Sequence, residues 1–329
     1  MTDVGQQLEL LGLRETVRRA ELGAATVNER KRAVSRVMAA HEIKSSVPEM
    51  EDLSFLHSGL AQTCLPHNRM PDDSTPWRRT SGKFSLIISP GVVNDDEAIS
   101  GTRYVGVPYG TRARLILIYL QTEGVKSRMV SLGPNLSSFL RSLGLGITGG
   151  RHGSITAVRE QCLRIARCQF TMQWASSDET GRRAIIQDTK IVDGLELWTS
   201  RSGREWSGAV ELTERFQEHL REHAVPLDKR ALARLSHNSL GLDLYTLFAY
   251  RLPRLNKPVH LRWVQLQSQI GTDYSRHRTL LDKVRRVMPD VLSVYPDARV
   301  EVTSSGITMS QSPPAVPRTS VRGVNLIEG

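Results

Sequence analysis

The sequence predicts an α+β protein built from two winged-helix (helix-turn-helix) units in tandem. Three observations support this class. A helix-turn-helix pattern runs from Trp263 to Met288, strand-like runs flank it on both sides, and the same order of elements occurs earlier in the chain. The predicted segments are a helical N-terminal extension (1–50), a first winged-helix domain with an N-terminal loop and strand segment (51–212), a second winged-helix domain (213–310) and a disordered tail (311–329).

The helix-turn-helix pattern consists of a short apolar helix, a turn at 271–273 and a second, basic helix. The apolar positions of the second helix fall at helical spacing and predict one buried stripe, formed by Leu280, Leu281, Val284, Val287 and Met288. A strand-like run at 259–262 comes before the pattern. A hairpin at 299–309, turning at Ser305 and Gly306, follows it and predicts the wing.

An earlier stretch of the chain repeats this order without repeating the residues. Residues 111–174 and 240–310 each read as helix, short strand, helix, turn, basic helix and strand. The corresponding strand positions, Met129 and His260, lie 131 residues apart. A glycine-rich turn precedes the basic helix of the earlier copy, which the pattern places at 154–168. We therefore expect two copies of one structural unit.

The segments outside these copies are less regular. Residues 1–46 predict polar helices, and their cations at 14–19 and 30–36 fit either a solvated face or a contact with DNA or a partner. Residues 47–96 predict loops with one strand at 84–88. Two further helices are expected at 214–222 and 226–235. Residues 310–329 lack periodicity, which predicts the disordered tail.

The charge balance favours a polyanionic partner. The chain has 44 lysines and arginines against 34 aspartates and glutamates, a formal net charge of +10. Five of the cations lie between Ser275 and Arg286, together with one anion, Asp282. Neither a membrane-spanning run nor a signal-peptide core is present, and three scattered cysteines do not predict disulfides. We expect a cytoplasmic protein.

The second unit holds the stronger candidates for DNA contact. Donors and cations gather at the turn and at the start of its basic helix, where a recognition helix meets base edges and phosphates. Arg276 and Arg278 are predicted to read or flank guanine, and Lys283 and Arg285 to neutralise phosphate. The alternative is a surface helix whose arginines face water. The full candidate set here is Thr272, Tyr274, Ser275, Arg276, His277, Arg278, Lys283 and Arg285.

The first unit offers a weaker set at the end of its glycine-rich turn. Backbone N–H groups at a helix start, together with Arg151, suit a phosphate, and Arg159 lies one turn further on, within reach of a guanine edge. A mobile loop without a ligand is the alternative. The candidates are Arg151, His152, Ser154, Thr156 and Arg159.

Signals for an enzyme are poor, so we expect neither catalysis nor a metal or cofactor. His219 and His223 flank Glu222 but lack the His-Glu-x-x-His order of a zinc helix, which favours a solvated helix face. No His-x-His pair of a strand-nicking initiator occurs in the sequence. Cys162 and Cys168 are not spaced to share a metal and are predicted to be core residues.

Several runs of the sequence resemble a known family, the plasmid-encoded RepA replication initiators of Gram-negative bacteria. The resemblance spans roughly residues 50–290. It rests on HSGLAQTCLPH (57–67), PWRRTSGKFSLIISPG (76–91), VGVPYGTRARLILIYLQTE (105–123), SLGPNLSSFLRSLGL (131–145) and TGGRHGSITAVREQCLRIARC (148–168).

The resemblance implies a protein that binds repeated double-stranded DNA sites, called iterons, at a plasmid origin. It further implies distortion of neighbouring AT-rich DNA, recruitment of the host initiator and replicative helicase, and exchange between monomers and homodimers. Two alternatives stay open at this stage. One is a winged-helix transcriptional repressor that acts on its own promoter, and the other is a metal-dependent nickase or primase.

Overall fold

The computed structural model describes residues 4–95, 101–150, 153–178, 181–197, 208–271 and 277–321 of the 329-residue chain. Helices and antiparallel strands are mixed along the described residues, which confirms the α+β class. None of the described helices combines the length and the apolar character needed to cross a bilayer.

Two helices form the N-terminal extension, as predicted: α1 (Val4–Leu22) and α2 (Val27–Ser45). Thr26 caps α2, because its hydroxyl accepts a hydrogen bond from the backbone N–H of Glu29 at 3.2 Å. In return, the Glu29 carboxylate accepts one from the backbone N–H of Thr26 at 3.0 Å. This reciprocal cap fixes the point at which α2 begins.

The segment that follows is richer in structure than predicted. Where the sequence predicts loops and one strand, it contains β1 (Leu53–His57), α3 (Ser58–Gln62), β2 (Trp77–Ser81), β3 (Phe84–Ser89) and β4 (Val92–Asn94). β5 (Thr102–Tyr104) follows this segment and pairs with β4. The strand predicted at 84–88 is confirmed as β3. Every residue of β1 is buried, so this strand lacks the alternation of polar and apolar residues by which a half-buried strand is recognised.

The first winged-helix unit begins with a nearly fully buried helix and ends with a hairpin. Its elements are α4 (Gly110–Gly124), β6 (Met129–Ser131), α5 (Leu136–Ser142), α6 (Ser154–Arg167), β7 (Gln169–Asp178), β8 (Gly181–Thr189), β9 (Val192–Leu197) and β10 (Gly208–Leu212). β10 pairs with both β6 and β9, giving the strand order β6–β10–β9. The hairpin β7–β8 is inserted before this wing and extends a separate sheet, β2–β3–β7–β8.

The second unit has the same arrangement without the inserted hairpin. It is preceded by α7 (Glu214–His223), β11 (Ala224–Asp228) and α8 (Lys229–Leu235). The unit itself consists of α9 (Ser239–Arg251), β12 (Val259–Arg262), α10 (Trp263–Ile270), α11 (His277–Val294), β13 (Val300–Val302) and β14 (Gly306–Met309). β14 pairs with β12 and β13, so the strand order is β12–β14–β13.

The two units therefore share one topology: helix, strand, helix, helix and a hairpin whose last strand pairs with the first. This confirms the predicted tandem winged-helix class. β1 and β11 pair with each other across the predicted boundary at 212, in the register Leu53↔Asp228 to His57↔Ala224. The domain boundaries themselves stay predictions.

Two predicted helices have different ends in the structure. The helix predicted at 226–235 begins only at Lys229, because residues 224–228 form β11 and pair with β1. Pro226 has no backbone N–H to donate. It is compatible with this strand because each strand of a two-stranded sheet has one edge that pairs with no other strand. Conversely, α11 continues through Pro289 to Val294, because the buried Val291 and Val294 hold its last turns against the core.

The described part of the predicted disordered tail is packed against the second unit. Val316 is 2% exposed and Ser312 is buried. The hydroxyl of Tyr295 donates a hydrogen bond to the carbonyl of Pro313 at 2.6 Å. Over residues 310–321 the prediction of disorder is therefore wrong, since single apolar residues anchor a chain that has no periodicity. Residues 322–329 lie outside the described residues.

The first helices of the two units meet in the core. Arg114 of α4 and Asp243 of α9 are both buried and form a two-pronged ion pair, with Nε–Oδ1 2.7 Å and Nη2–Oδ2 2.8 Å. The guanidinium also donates to the carbonyls of Leu65, Pro66 and Gly110. This ion pair joins the two units at their centre.

Candidate nucleic-acid interface

Helix α11 presents an apolar face to the core and a basic face to solvent. Leu280, Val284, Val287 and Met288 are buried, which confirms the predicted stripe, while Leu281 is half-buried at its edge. Four cations on the rest of the helix are exposed: Arg278, Lys283, Arg285 and Arg286. Between residues 277 and 289 they are accompanied by a single carboxylate, Asp282, so this surface is positively charged.

The wing beside α11 is held in place by a tryptophan. The indole N–H of Trp263 donates a hydrogen bond to the carbonyl of Ser304 at 2.8 Å, at the tip of the hairpin. His260 of β12 bridges the wing, with Nδ1 3.0 Å from Oγ1 of Thr308 and Nε2 3.2 Å from Oγ of Ser305. The tip is exposed and polar. Such a hairpin can approach the DNA backbone next to the helix.

Part of the predicted site lies outside the described residues. In the second unit these are Thr272, Tyr274, Ser275 and Arg276, together with the side chain of His277. In the first unit they are Arg151 and His152. The described candidates of the second unit, Arg278, Lys283 and Arg285, share the exposed basic surface of α11.

Ser154 has a structural role at the start of α6. It is 6% exposed, and its backbone N–H donates to the hydroxyl of Thr148 at 2.9 Å. The Ser154 hydroxyl accepts from the backbone N–H of Thr148, also at 2.9 Å. A Cβ at Gly153 would lie 2.4 Å from the carbonyl oxygen of Thr148, so the tight closure requires a glycine there. The predicted contact of Ser154 with DNA does not fit this buried position.

The other two described candidates of the first unit are accessible to different extents. Thr156 is exposed, and its hydroxyl donates to the carbonyl of Gly150 at 3.0 Å. Arg159 is half-buried, and its Nε has no hydrogen-bond partner among the described residues. Arg164, further along α6, is buried and bonded to Glu160 and the carbonyl of Val107. The first unit thus offers a smaller exposed basic surface than α11.

One group of side chains in the core has the residue types of a metal site, and its carboxylate is already paired with an arginine. The ligand atoms of Cys64, His67 and Asp243 lie within 4.8 Å of one another. Burial raises the pKa of the Cys64 thiol to about 12. Burial also raises the pKa of Asp243, but the charge of Arg114 and the hydrogen bonds from His67 and Arg114 outweigh it and lower the pKa overall. The cation that this carboxylate binds is Arg114.

The histidines of α7 lie in an aromatic cluster, and the predicted solvated face is wrong for His219. Its Nδ1 lies 2.7 Å from Nε2 of the fully buried His57, and its ring packs against Trp174 and His223. Burial lowers the pKa of His219 to about 4, and the neighbouring charges of His223 and Arg215 act in the same direction. The cluster therefore joins β1, β7 and α7 through ring contacts.

Comparison with known proteins finds a family model that matches the middle of the chain. Residues 107–265 match the model of the family described as "Plasmid encoded RepA protein". Over this segment the chain is similar to the plasmid-encoded RepA proteins. The matched segment, residues 107–265, covers the helices of the first unit, its wing, and the second unit as far as the start of α10. It is narrower than the resemblance proposed from the sequence, and the runs at 57–67 and 76–91 lie outside it.

Two solved structures are similar to parts of this chain, both of domains 2 and 3 of RctB. One has 11% sequence identity and a TM-score of 0.46, covering 80% of this chain and 99% of the other. The second has 13% identity and a TM-score of 0.42, covering 76% and 94%. No match was found among curated proteins.

Proposed function

We propose that this chain is a non-enzymatic plasmid replication initiator that binds repeated double-stranded DNA sites at its origin. The observation that carries the proposal is the exposed basic face of α11, which lies beside an anchored wing in a duplicated winged-helix unit. The match of residues 107–265 to the RepA family model supports the role in plasmid replication.

In the second unit, α11 would insert its N-terminal half into the major groove, which is about 12 Å wide and admits one helix. Arg278 lies in this half and is exposed, so its guanidinium can pair with the edge of a guanine. Lys283 and Arg285 lie further along the helix and would neutralise backbone phosphates. The tip of the wing, at Ser304 and Ser305, would meet the adjacent backbone.

In the first unit, α6 would occupy a second major groove on the same side of the duplex. Successive major grooves on one side are about 34 Å apart. Thr156 and Arg159 are the described residues of α6 that would contact DNA. Because the ion pair between Arg114 and Asp243 joins the first helices of both units, the two reading helices would be held at a constant separation. Distortion of AT-rich DNA and recruitment of the host initiator and helicase would follow binding.

A footprint over the plasmid region beside the gene tests the proposal. Purified protein should protect repeated sites, each with two protected major grooves on one side of the duplex. If no fragment of that region is protected at moderate ionic strength, the proposal is wrong. A shuffled duplex of equal length and composition is the control for non-specific binding.

Two further assays separate the initiator from the alternatives. A repressor of the same architecture would silence its own promoter but would not support maintenance of a plasmid that carries only the origin. A nickase would relax supercoiled origin DNA in the presence of Mg²⁺. Plasmid maintenance without nicking is the result that the proposal requires.

A further inference from the structure

A groove lined by cations lies between the N-terminal extension and the reading helix of the second unit. It encloses about 770 Å³ between α2, the start of α9 and the middle of α11. The cations that line it come from three separate parts of the chain and are Lys31, Arg32, Arg36, Arg234, Lys283 and Arg286. We call this surface the basic groove.

The basic groove has an excess of positive charge. Asp290 is the one carboxylate among its described lining residues, and it is engaged by Arg36 at 2.6 Å. Arg234 lies 3.5 Å from Glu42, a weak and exposed pairing. Lys31, Arg32 and Arg286 have no carboxylate partner anywhere in the described part of the chain. Such a surface favours a polyanion.

The register of the two helices places the basic groove directly beside the DNA-reading part of α11. Arg36 of α2 pairs with Asp290 of α11, and Lys44 near the end of α2 pairs with Asp297 just after α11, so the two helices run in the same direction. Lys31 and Arg32 of α2 line the same groove as Lys283 and Arg286 of α11. α11 begins at His277 and first lines the groove at Lys283, so its first turn precedes the groove along the helix. A duplex contacted by that turn would continue past the end of α2.

We propose that the basic groove binds the phosphate backbone of the DNA that flanks the site read by α11. The inference rests on the proposed function and adds α2 to the DNA-binding surface. Two features favour a backbone strand over a single nucleotide. The cations form rows on two facing helices, which suits a chain of phosphates, and the described residues lining the groove include no phenylalanine, tyrosine or tryptophan to stack a base.

The start of α9 adds to this phosphate site. Asn238 and Ser239 line the basic groove, and the side chain of Asn238 caps the helix by accepting from the backbone N–H of Gly241 at 3.0 Å. The partial positive charge at this helix end faces the groove together with the cations. The basic groove thus combines the fixed dipole at the start of α9 with the flexible side chains of lysines and arginines.

The test compares K31A/R32A with the matched control R14A/R18A. Both variants remove two exposed cations from the N-terminal extension, but Arg14 and Arg18 do not line the basic groove. Affinity is measured by fluorescence anisotropy over a range of salt, with origin duplexes that carry either a long or a trimmed flank beside the site. K31A/R32A should lower the salt slope by about one to two units and weaken binding about tenfold or more on the long duplex.

Trimming the flank should weaken the wild-type protein and R14A/R18A but leave K31A/R32A unchanged. If the wild-type protein does not bind origin DNA at all, the proposed function fails. If the wild-type protein binds, and K31A/R32A has the same salt slope and the same dependence on the flank as the wild-type protein, the inference about the basic groove is wrong. Normal DNA binding by K31A/R32A with loss of thermal stabilisation by ATP would assign the groove to a nucleotide, and would also overturn the inference.

Discussion

Arg114 illustrates how a single residue can hold two units together. Its guanidinium is buried and is satisfied by both carboxylate oxygens of Asp243 and by three backbone carbonyls. His67 donates its Nε2–H to the same carboxylate, with Nε2 2.8 Å from Oδ2. A buried charge is tolerated only when it is paired and hydrogen-bonded in this way. Removal of either partner leaves the other charge uncompensated.

Substitution of Arg114 by alanine should therefore be severe. We expect R114A to lower the free energy of unfolding by about 3–5 kcal/mol, because Asp243 would remain buried without its cation. Urea denaturation followed by circular dichroism measures the loss. The matched control is R112A, on the exposed side of the same helix, which should change stability by less than about 0.5 kcal/mol. Similar stability of R114A and R112A would contradict the role assigned to the ion pair.

Substitution of Lys283 by alanine should weaken binding to all DNA sequences equally. Because a lysine that neutralises one phosphate releases about one counterion, K283A should lower the slope of log affinity against log salt by about 0.9. The loss should be equal on origin DNA and on a random duplex, as measured by anisotropy titrations at several salt concentrations. A loss confined to origin DNA would assign Lys283 to base reading instead.

At the scale of the element, the wing depends on a close approach of two strands. β14 begins at Gly306, which pairs with Arg262 of β12. A Cβ at Gly306 would lie 2.0 Å from the carbonyl oxygen of Leu261, far inside van der Waals contact. The strand pair must separate to accept any side chain there. This explains why the hairpin returns at a glycine.

G306A should consequently destabilise the second unit by about 1–3 kcal/mol and weaken DNA binding through displacement of the wing. Thermal unfolding gives the first effect and anisotropy the second. G146A is the matched control, since a Cβ at Gly146 would meet nothing within 4 Å. A variant G306A as stable as G146A would show that the wing adapts without cost.

At the scale of the molecule, the duplication predicts a divided footprint. If each unit reads its own major groove, R278A should weaken protection of one groove at every iteron and spare the other. Hydroxyl-radical footprinting, at a protein concentration that saturates the sites with the wild-type protein, measures the protection of each of the two grooves. Uniform loss of protection over both grooves would mean that the units bind as one indivisible surface.

The elements with strong periodicity were predictable from the sequence, and those without it were not. The basic helix, the strand at 259–262 and the wing were all confirmed, because each carries its own pattern of apolar residues. β1 and β11 were missed, since both are almost fully buried and neither alternates. The packed segment at 310–321 was missed because one buried valine, Val316, carries no period.

The candidate site likewise has a part that was predictable from the sequence and a part that was not. Arg278, Lys283 and Arg285 were placed correctly on an exposed helix face, because a helix determines its exposed positions from local spacing alone. The basic groove was not predictable in this way. The cations at 30–36 are visible in the sequence, but their proximity to Arg286 depends on the parallel packing of α2 and α11, some 254 residues apart.

The sequence alone determined the class, the repeat of the winged-helix unit and the positive charge of its second reading helix. These properties follow from hydrophobic spacing and composition, which act over a few turns of the chain. Only the tertiary structure decided that Arg114 and Asp243 join the units and that the N-terminal extension lies against α11. Those contacts join residues far apart in sequence, and their energy depends on burial and geometry that no local pattern encodes.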